Sequence, residues 1–80
     1  MIEVTARYFA AFRERAGCES ELVRTDSRTA AELFREVSAR HAFRDGAVRC
    51  KVALNGSLCG WDAELAERDE ILFFPPVAGG

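Results

Sequence analysis

Eighty residues make one domain with one small core; at this size only roughly 60–65% of the unfolded surface is buried, which leaves few inward side chains for a catalytic cleft. Apolar residues are 49% and charged residues 30%, ordinary for a globular chain, and a net charge of −2 argues against general affinity for nucleic acid or anionic membrane. No stretch reaches the roughly 20 apolar residues of a membrane span and no basic-then-apolar leader is visible, so the chain reads as cytoplasmic.

Met1 to Ala10 is predicted as a strand, with Ile2, Val4, Ala6 and Tyr8 on one face and Glu3, Thr5 and Arg7 on the other. Ala11 to Ala16 reads as a short helical turn stopped by Gly17. Glu21 to Thr25 follows as a second, more polar strand, close enough to pair with the first as a hairpin. Thr29 and Glu32 have the spacing of a capping box: the Thr29 hydroxyl accepts from the Glu32 amide, and the Glu32 carboxylate is expected to reach back to the amide of Thr29. Beyond this start, Ala30, Leu33, Phe34, Val37 and His41 recur on one helical face, opposite Arg35, Glu36 and Arg40. Arg40 and His41 fall in the last turn, where positive charge meets the negative end of the helix dipole. His41 has no partner close in sequence and reads as a helix-end or half-buried residue.

Asp45-Gly46 marks a turn. Val48, Cys50, Val52 and Leu54 then alternate with Arg49, Lys51, Ala53 and Asn55, which predicts a half-buried strand. Asn55-Gly56 suits a type I′ hairpin turn, whose two central residues need positive φ. Ser57 to Cys59 returns as a short strand. Gly60 to Arg68 is expected to be loop with a helical turn around Ala63–Ala66. Glu70 to Phe74 is the last strand, ended by Pro75-Pro76, which removes two amide donors. Strand, strand, helix, strand, short strand, strand, with one amphipathic helix over one face of a mixed sheet, is an α+β order; the β-grasp, or ubiquitin-like, fold has it.

Cys18, Cys50 and Cys59 form no CxxC pair, and with the single His41 they match no zinc spacing, so no metal site is expected and the thiols read as reduced, small apolar residues. Lys51 is the only lysine beside ten arginines. The last residues carry the strongest signal. Two prolines stiffen the exit from the last strand, and Val77, Ala78, Gly79 and Gly80 are small or permissive, spanning at most roughly 13–14 Å when extended. Such a tail suits a narrow channel in another protein, and glycine leaves its carboxyl carbon unshielded. At about 7% average glycine usage, two adjacent glycines at a given place arise by chance in about 0.5% of chains. The domain is therefore read as residues 1–76 and the flexible Gly-Gly tail as 77–80.

The ending Glu70-Ile71-Leu72-Phe73-Phe74-Pro75-Pro76-Val77-Ala78-Gly79-Gly80 resembles that of the small subunit of molybdopterin synthase, in the MoaD/ThiS-type sulfur-carrier family. The stretch Tyr8-Phe9-Ala10-Ala11-Phe12-Arg13-Glu14-Arg15-Ala16-Gly17, the Thr29-led helix and the Leu54-Asn55-Gly56 turn resemble it too. Glu67-Arg68-Asp69 departs from the family's Asp-Gly-Asp, so either Arg68 takes the left-handed backbone of that glycine, at about 1 kcal/mol, or the turn differs.

The resemblance implies that an E1-like enzyme adenylates Gly80 with ATP. Persulfide sulfur from a sulfurtransferase then replaces AMP, leaving a thiocarboxylate. The tail enters the large catalytic subunit of molybdopterin synthase and gives sulfur to a pyranopterin precursor of the molybdenum cofactor. The chain binds no cofactor itself, supplies no acid, base or metal, and is a non-catalytic, substrate-bearing subunit with Gly80 and Gly79 as the reactive end. Other readings are a carrier for thiamine or cysteine synthesis, a ubiquitin-like modifier, and a binding domain without tail chemistry. Strand alternation sets Ile71 and Phe73 on one side and Leu72 and Phe74 on the other; unless curvature buries both sides, Leu72 and Phe74 are taken as outward because Phe74 adjoins Pro75 at the root of the tail. With Phe9, Leu58, Pro75 and Pro76, and with Val77 and Ala78 of the tail, Leu72 and Phe74 are expected to form the partner-binding surface.

Overall fold

The computed structural model describes residues 1–76, with the backbone alone described at Val48. The elements are β1 (Ile2–Tyr8), α1 (Ala11–Ala16), β2 (Ser20–Thr25), α2 (Ala30–His41), β3 (Lys51–Leu54), β4 (Ser57–Cys59) and β5 (Glu70–Phe74). They form one five-stranded sheet in the order β2-β1-β5-β3-β4. β1 and β5 are parallel, and the other neighbours antiparallel. This is the expected α+β, β-grasp architecture: a mixed sheet with one main helix on one face.

The alternation of β1 turns Val4, Ala6 and Tyr8 into the core. Val23 of β2, Val52 of β3 and Ile71 and Phe73 of β5 join them from the same face of the sheet. From the other side come Ala30, Leu33, Phe34 and Val37, the apolar stripe of α2. At about 25 cal/mol per Å² of apolar surface removed from water, this shared core is the main source of stability.

β1 stops at Tyr8 rather than Ala10, because the chain turns sharply. Phe12 donates its amide to the Phe9 carbonyl (3.1 Å), and Ala10 sits at φ 52°, ψ −122°, a conformation favourable only to glycine. Gly17, at φ 76°, closes α1 as expected. The Thr29 hydroxyl accepts from the Glu32 amide at 3.3 Å, but the Glu32 carboxylate accepts from the amide of Arg28 (2.7 Å), not from that of Thr29. Thr29 is extended, at φ −126° and ψ 163°, which brings the preceding amide within reach.

Two expected elements differ. β3 begins at Lys51, and Ala47–Arg49 form a 3-10 turn instead of the start of a strand. The cause lies in its neighbour: Lys51 pairs with Phe74, so residues earlier in the chain would face Pro75 and Pro76, which have no amide to give. Residues 63–66 are not helical. Glu64 makes an isolated antiparallel bridge with Thr29, and the Ala63 and Trp61 carbonyls accept from Ala30 and Ala31 (3.0 and 2.9 Å). This loop satisfies amides at the start of α2 that have no partner within the helix. Arg68 keeps the left-handed backbone, at φ 69°, and donates its amide to Glu3 at 2.7 Å.

Candidate functional site

β5 fixes the root of the tail. It is the middle strand of five, hydrogen-bonded on both sides. Ile71 and Phe73 are 0% exposed. The Phe73 ring packs against Phe34 (5.3 Å between centroids), Trp61 (6.2 Å) and Tyr8 (6.4 Å). Asn55 ties the β3–β4 turn to the start of β5. Its amide donates to the Glu70 carbonyl, its Oδ1 accepts from the Glu70 amide (both 2.8 Å), and its Nδ2 donates to Asp69 (3.0 Å). Asn55 and Gly56 have φ of 51° and 89°, the positive pair expected of their turn. The strand therefore delivers Pro75 and Pro76, both half-buried, from a rigid base. Val77, Ala78, Gly79 and Gly80, where the sequence leads us to expect the tail chemistry, lie outside the described residues.

The other face of β5 turns away from α2. Registered neighbours share a face, so the row through Leu72 runs Arg7, Leu72, Ala53, Leu58 across β1, β5, β3 and β4. The row through Phe74 holds Lys51, and Phe9 closes on Phe74 edge-to-face at 5.6 Å. Phe9 is 55% and Leu58 69% exposed, while Leu72 and Phe74 are half-buried. The structure thus brings together Phe9, Phe74 and Pro75 at the tail's root. Leu72 and Leu58 continue the apolar surface, flanking Ala53. Arg7 is already engaged by Glu19 (3.4 Å) and Glu70 (3.5 Å); no ion pair involves Lys51 among the described residues.

The polar cluster inside the same end of the molecule was not foreseen. Glu21 accepts from the Tyr8 hydroxyl and lies 2.5 Å from His41 Nε2, with Arg40 at 3.6 Å. Burial alone would raise the Glu21 pKa, but the hydrogen bonds from Tyr8 and His41 and the charges of His41 and Arg40 hold it below the usual carboxylate range. Burial, then the bond and charge of Glu21, push the Tyr8 hydroxyl far up. The available signal was a polar residue at an inward position of β2 and another on the inward stripe of α2; nothing local says that they meet.

The cysteines are apart and free among the described residues. Burial raises the pKa of each, aided by the charge of Glu21 at Cys18, Asp45 at Cys50 and Asp62 at Cys59, so the thiols stay protonated and weakly nucleophilic. Among the described residues no three His, Cys, Asp or Glu side chains cluster as metal ligands, and no helix is long and apolar enough to cross a membrane. What the site offers is a surface and an exit.

The sequence matches the ThiS family over residues 6–80. It is 35% identical over 78 residues to the molybdopterin synthase sulfur carrier subunit of Escherichia coli (strain K12), covering 91% of this chain and 94% of that protein. Among solved structures it resembles SAMP1 from Haloferax volcanii, with a TM-score of 0.79 and 25% identity over 98% of this chain and 99% of that one. It also resembles a chain in the complex of subunits 1 and 2 of the molybdopterin-converting factor from Helicobacter pylori 26695. There the TM-score is 0.68 and the identity 25%, over 99% of this chain and 100% of that one.

Proposed function

The chain belongs to the ThiS family, and from that premise we propose that it is the sulfur-carrying small subunit of a molybdopterin synthase. The observation that carries this reading is the 35% identity to the Escherichia coli sulfur carrier along nearly the whole of both chains. Gly80 is the reacting residue. Its carboxylate attacks the α-phosphate of ATP in the site of an E1-like partner, pyrophosphate leaves, and the acyl-adenylate becomes a good electrophile. The terminal sulfur of a sulfurtransferase persulfide attacks the carbonyl carbon and AMP leaves. A second thiol then opens the S–S bond, leaving a thiocarboxylate whose sulfur is a soft nucleophile.

This chain's part is mechanical and electronic in turn. β5 and the two prolines project the tail, and Gly79 and Gly80 present a carbonyl with no side chain to block its approach. The Phe9, Leu58, Leu72 and Phe74 surface docks the large subunit, whose pocket receives the tail and delivers the sulfur to a pyranopterin precursor. Partner and pathway are both cytoplasmic in this reading. The Helicobacter pylori complex of two subunits, containing a chain of the same fold, supports a two-subunit assembly.

Similarity to SAMP1, a small archaeal modifier protein, favours a second reading, in which the activated Gly80 forms an isopeptide bond with a lysine. Intact-mass measurement of the protein isolated from its host separates the two. The carrier shows one sulfur in place of one oxygen at Gly80 and no conjugates. Conjugates without a thiocarboxylate would establish the modifier instead.

A further inference from the structure

β2 is an edge strand whose free side is open. The Glu3 carbonyl accepts from Arg68 and the Thr5 amide donates to Asp69, so the odd residues of β1 turn their backbone towards β5. The even residues therefore face β2, as the bond from the Tyr8 amide to the Glu19 carbonyl shows. In the observed register their partners are Glu21, Val23 and Thr25. Antiparallel alternation then points the amides and carbonyls of Ser20, Leu22 and Arg24 outward, away from the sheet. Natural edges are blunted by proline, a bulge or charged side chains, lysine above all; β2 has neither proline nor lysine, its six pairs run without a bulge, its inward Glu21 is already engaged by His41 and Arg40, and Arg24 is the one charge on its outer face. At its middle, on the face away from α2, stands Leu22, 67% exposed.

We propose that β2 is a self-pairing edge: two copies of the chain join antiparallel along Ser20–Thr25, with the twofold axis through Leu22, into one continuous sheet. The axis stands perpendicular to the sheet, so each residue keeps its face. In this register Leu22 meets Leu22 of the second copy as a hydrogen-bonded pair, and Ser20 meets Arg24 in both directions. Every outward amide and carbonyl of the three residues gains a partner. Sliding the copies by two residues one way opposes Glu21 to Glu21, a like-charge pair; sliding the other way opposes Leu22 to Arg24 and wastes the apolar contact. Charge and burial therefore select one register.

A second copy suits this edge better than a loose peptide. The inner side of β2 is closed by polar contacts, with Arg40 between Glu21 and Glu36 (3.6 Å each) and Thr25 donating to Glu36. No apolar groove runs there, so a peptide would gain a single side-chain contact, at Leu22, and would have to be ordered from a free chain. The second copy brings the same leucine on a strand already formed. The contact is small, below the size of a stable interface, so association belongs in the weak, high-concentration regime. It is independent of the tail chemistry: β1 lies between β2 and β5, and the surface over β5, β3 and β4 stays free.

The test is sedimentation of the full chain up to millimolar concentration, with cysteine trapping. The average mass should rise towards twice the monomer value, and Leu22→Lys, which sets two ammonium groups together at the axis, should return it to the monomer with an unchanged thermal melt. In a Cys18→Ser, Cys59→Ser background, Leu22→Cys should crosslink to a homodimer on mild oxidation, whereas Arg24→Cys, four residues from its own copy across the axis, should not. A monomer at every concentration would overturn the proposal. So would a dimer unaffected by Leu22→Lys, or crosslinking as efficient at position 24 as at 22.

Discussion

Glu21 shows how much one carboxylate can hold. It serves a buried hydroxyl from β1, an imidazole and a guanidinium from the last turn of α2, and is itself part of β2. Replacing it by alanine leaves the Tyr8 hydroxyl without its partner in the core, and unfolding in urea should show a loss of about 2–3 kcal/mol. The pH response follows from the direction of the shifts. The Glu21 pKa is lowered on folding, so its contribution is complete above the unfolded carboxylate value of about 4.3 and is lost as pH falls through the lower folded value. The Tyr8 pKa is raised, so its contribution is complete below about 10 and is lost as pH climbs beyond. Between pH 7 and 3 the wild type should therefore lose more stability than Glu21→Gln. Equal slopes would show that the carboxylate's charge is not what the cluster uses.

Ala10 and Arg68 make the opposite point, since each holds a backbone conformation that suits glycine. Relief of that strain exceeds the entropy glycine adds to the unfolded chain. Ala10→Gly and Arg68→Gly should each stabilise by about 0.5 kcal/mol, seen as a melting temperature higher by roughly 2–4 °C. A lower melting temperature in either variant would mean that the side chain contributes more than the strain costs.

Among the elements, those with a strong period were legible. The alternation of β1 and β5 and the stripe from Ala30 to His41 each determine a face without help from the rest of the chain. Alternation alone puts Ile71 and Phe73 on one side of β5 and Leu72 and Phe74 on the other; the packing against α2 decides that the first pair is the inward one. What could not be read depends on a neighbour distant in sequence. β3 is short because Pro75 and Pro76 end the strand beside it. Residues 63–66 are not helical because the loop that holds them supplies acceptors to the first amides of α2, and His41 and Glu21 meet only after β2 and α2 have packed. The left-handed turn at Arg68 was one of two alternatives in the sequence, and only the geometry decides between them. Of the candidate site, Phe9, Leu58, Leu72 and Phe74 could be placed because strand parity extends to the surface.

The β5 element also carries a direct test of docking. Phe74→Ala removes a half-buried ring from the outer face, where Phe9 is its aromatic neighbour, and leaves Ile71 and Phe73 in place. The fold should persist by circular dichroism, while affinity for the large subunit should weaken by about 1–2 kcal/mol in a calorimetric titration. Unchanged affinity would remove Phe74 from the docking surface, and unfolding would assign it to the core.

At the scale of the molecule, the division read from the sequence into a domain and a tail makes a prediction. Among the described residues the buried core cluster runs from Val4 to Phe73, so deletion of Gly79 and Gly80 should change stability by less than about 0.5 kcal/mol. The same deletion should abolish sulfur transfer in a reconstituted synthase. A truncated chain that still delivers sulfur would remove Gly80 from the reaction. Serine at Cys18 and Cys59 should leave transfer intact, since both thiols stay protonated and the proposed sulfur is borne by the tail.

The parallel pairing of β1 with β5 joins the first strand of the chain to the last, and it lies at the centre of the sheet. The core therefore cannot close before β5 has been made: β1 and β2 can form a hairpin early, but they wait for a strand that follows the other four in the chain. Folding is governed by this single long loop closure, which slows it relative to a helical protein of equal size. A chain broken off before Glu70 has no centre to its sheet and is open to proteolysis. A folded domain is thus a record of translation past β5: whatever presents a docked β5 has been made up to the two prolines that follow it.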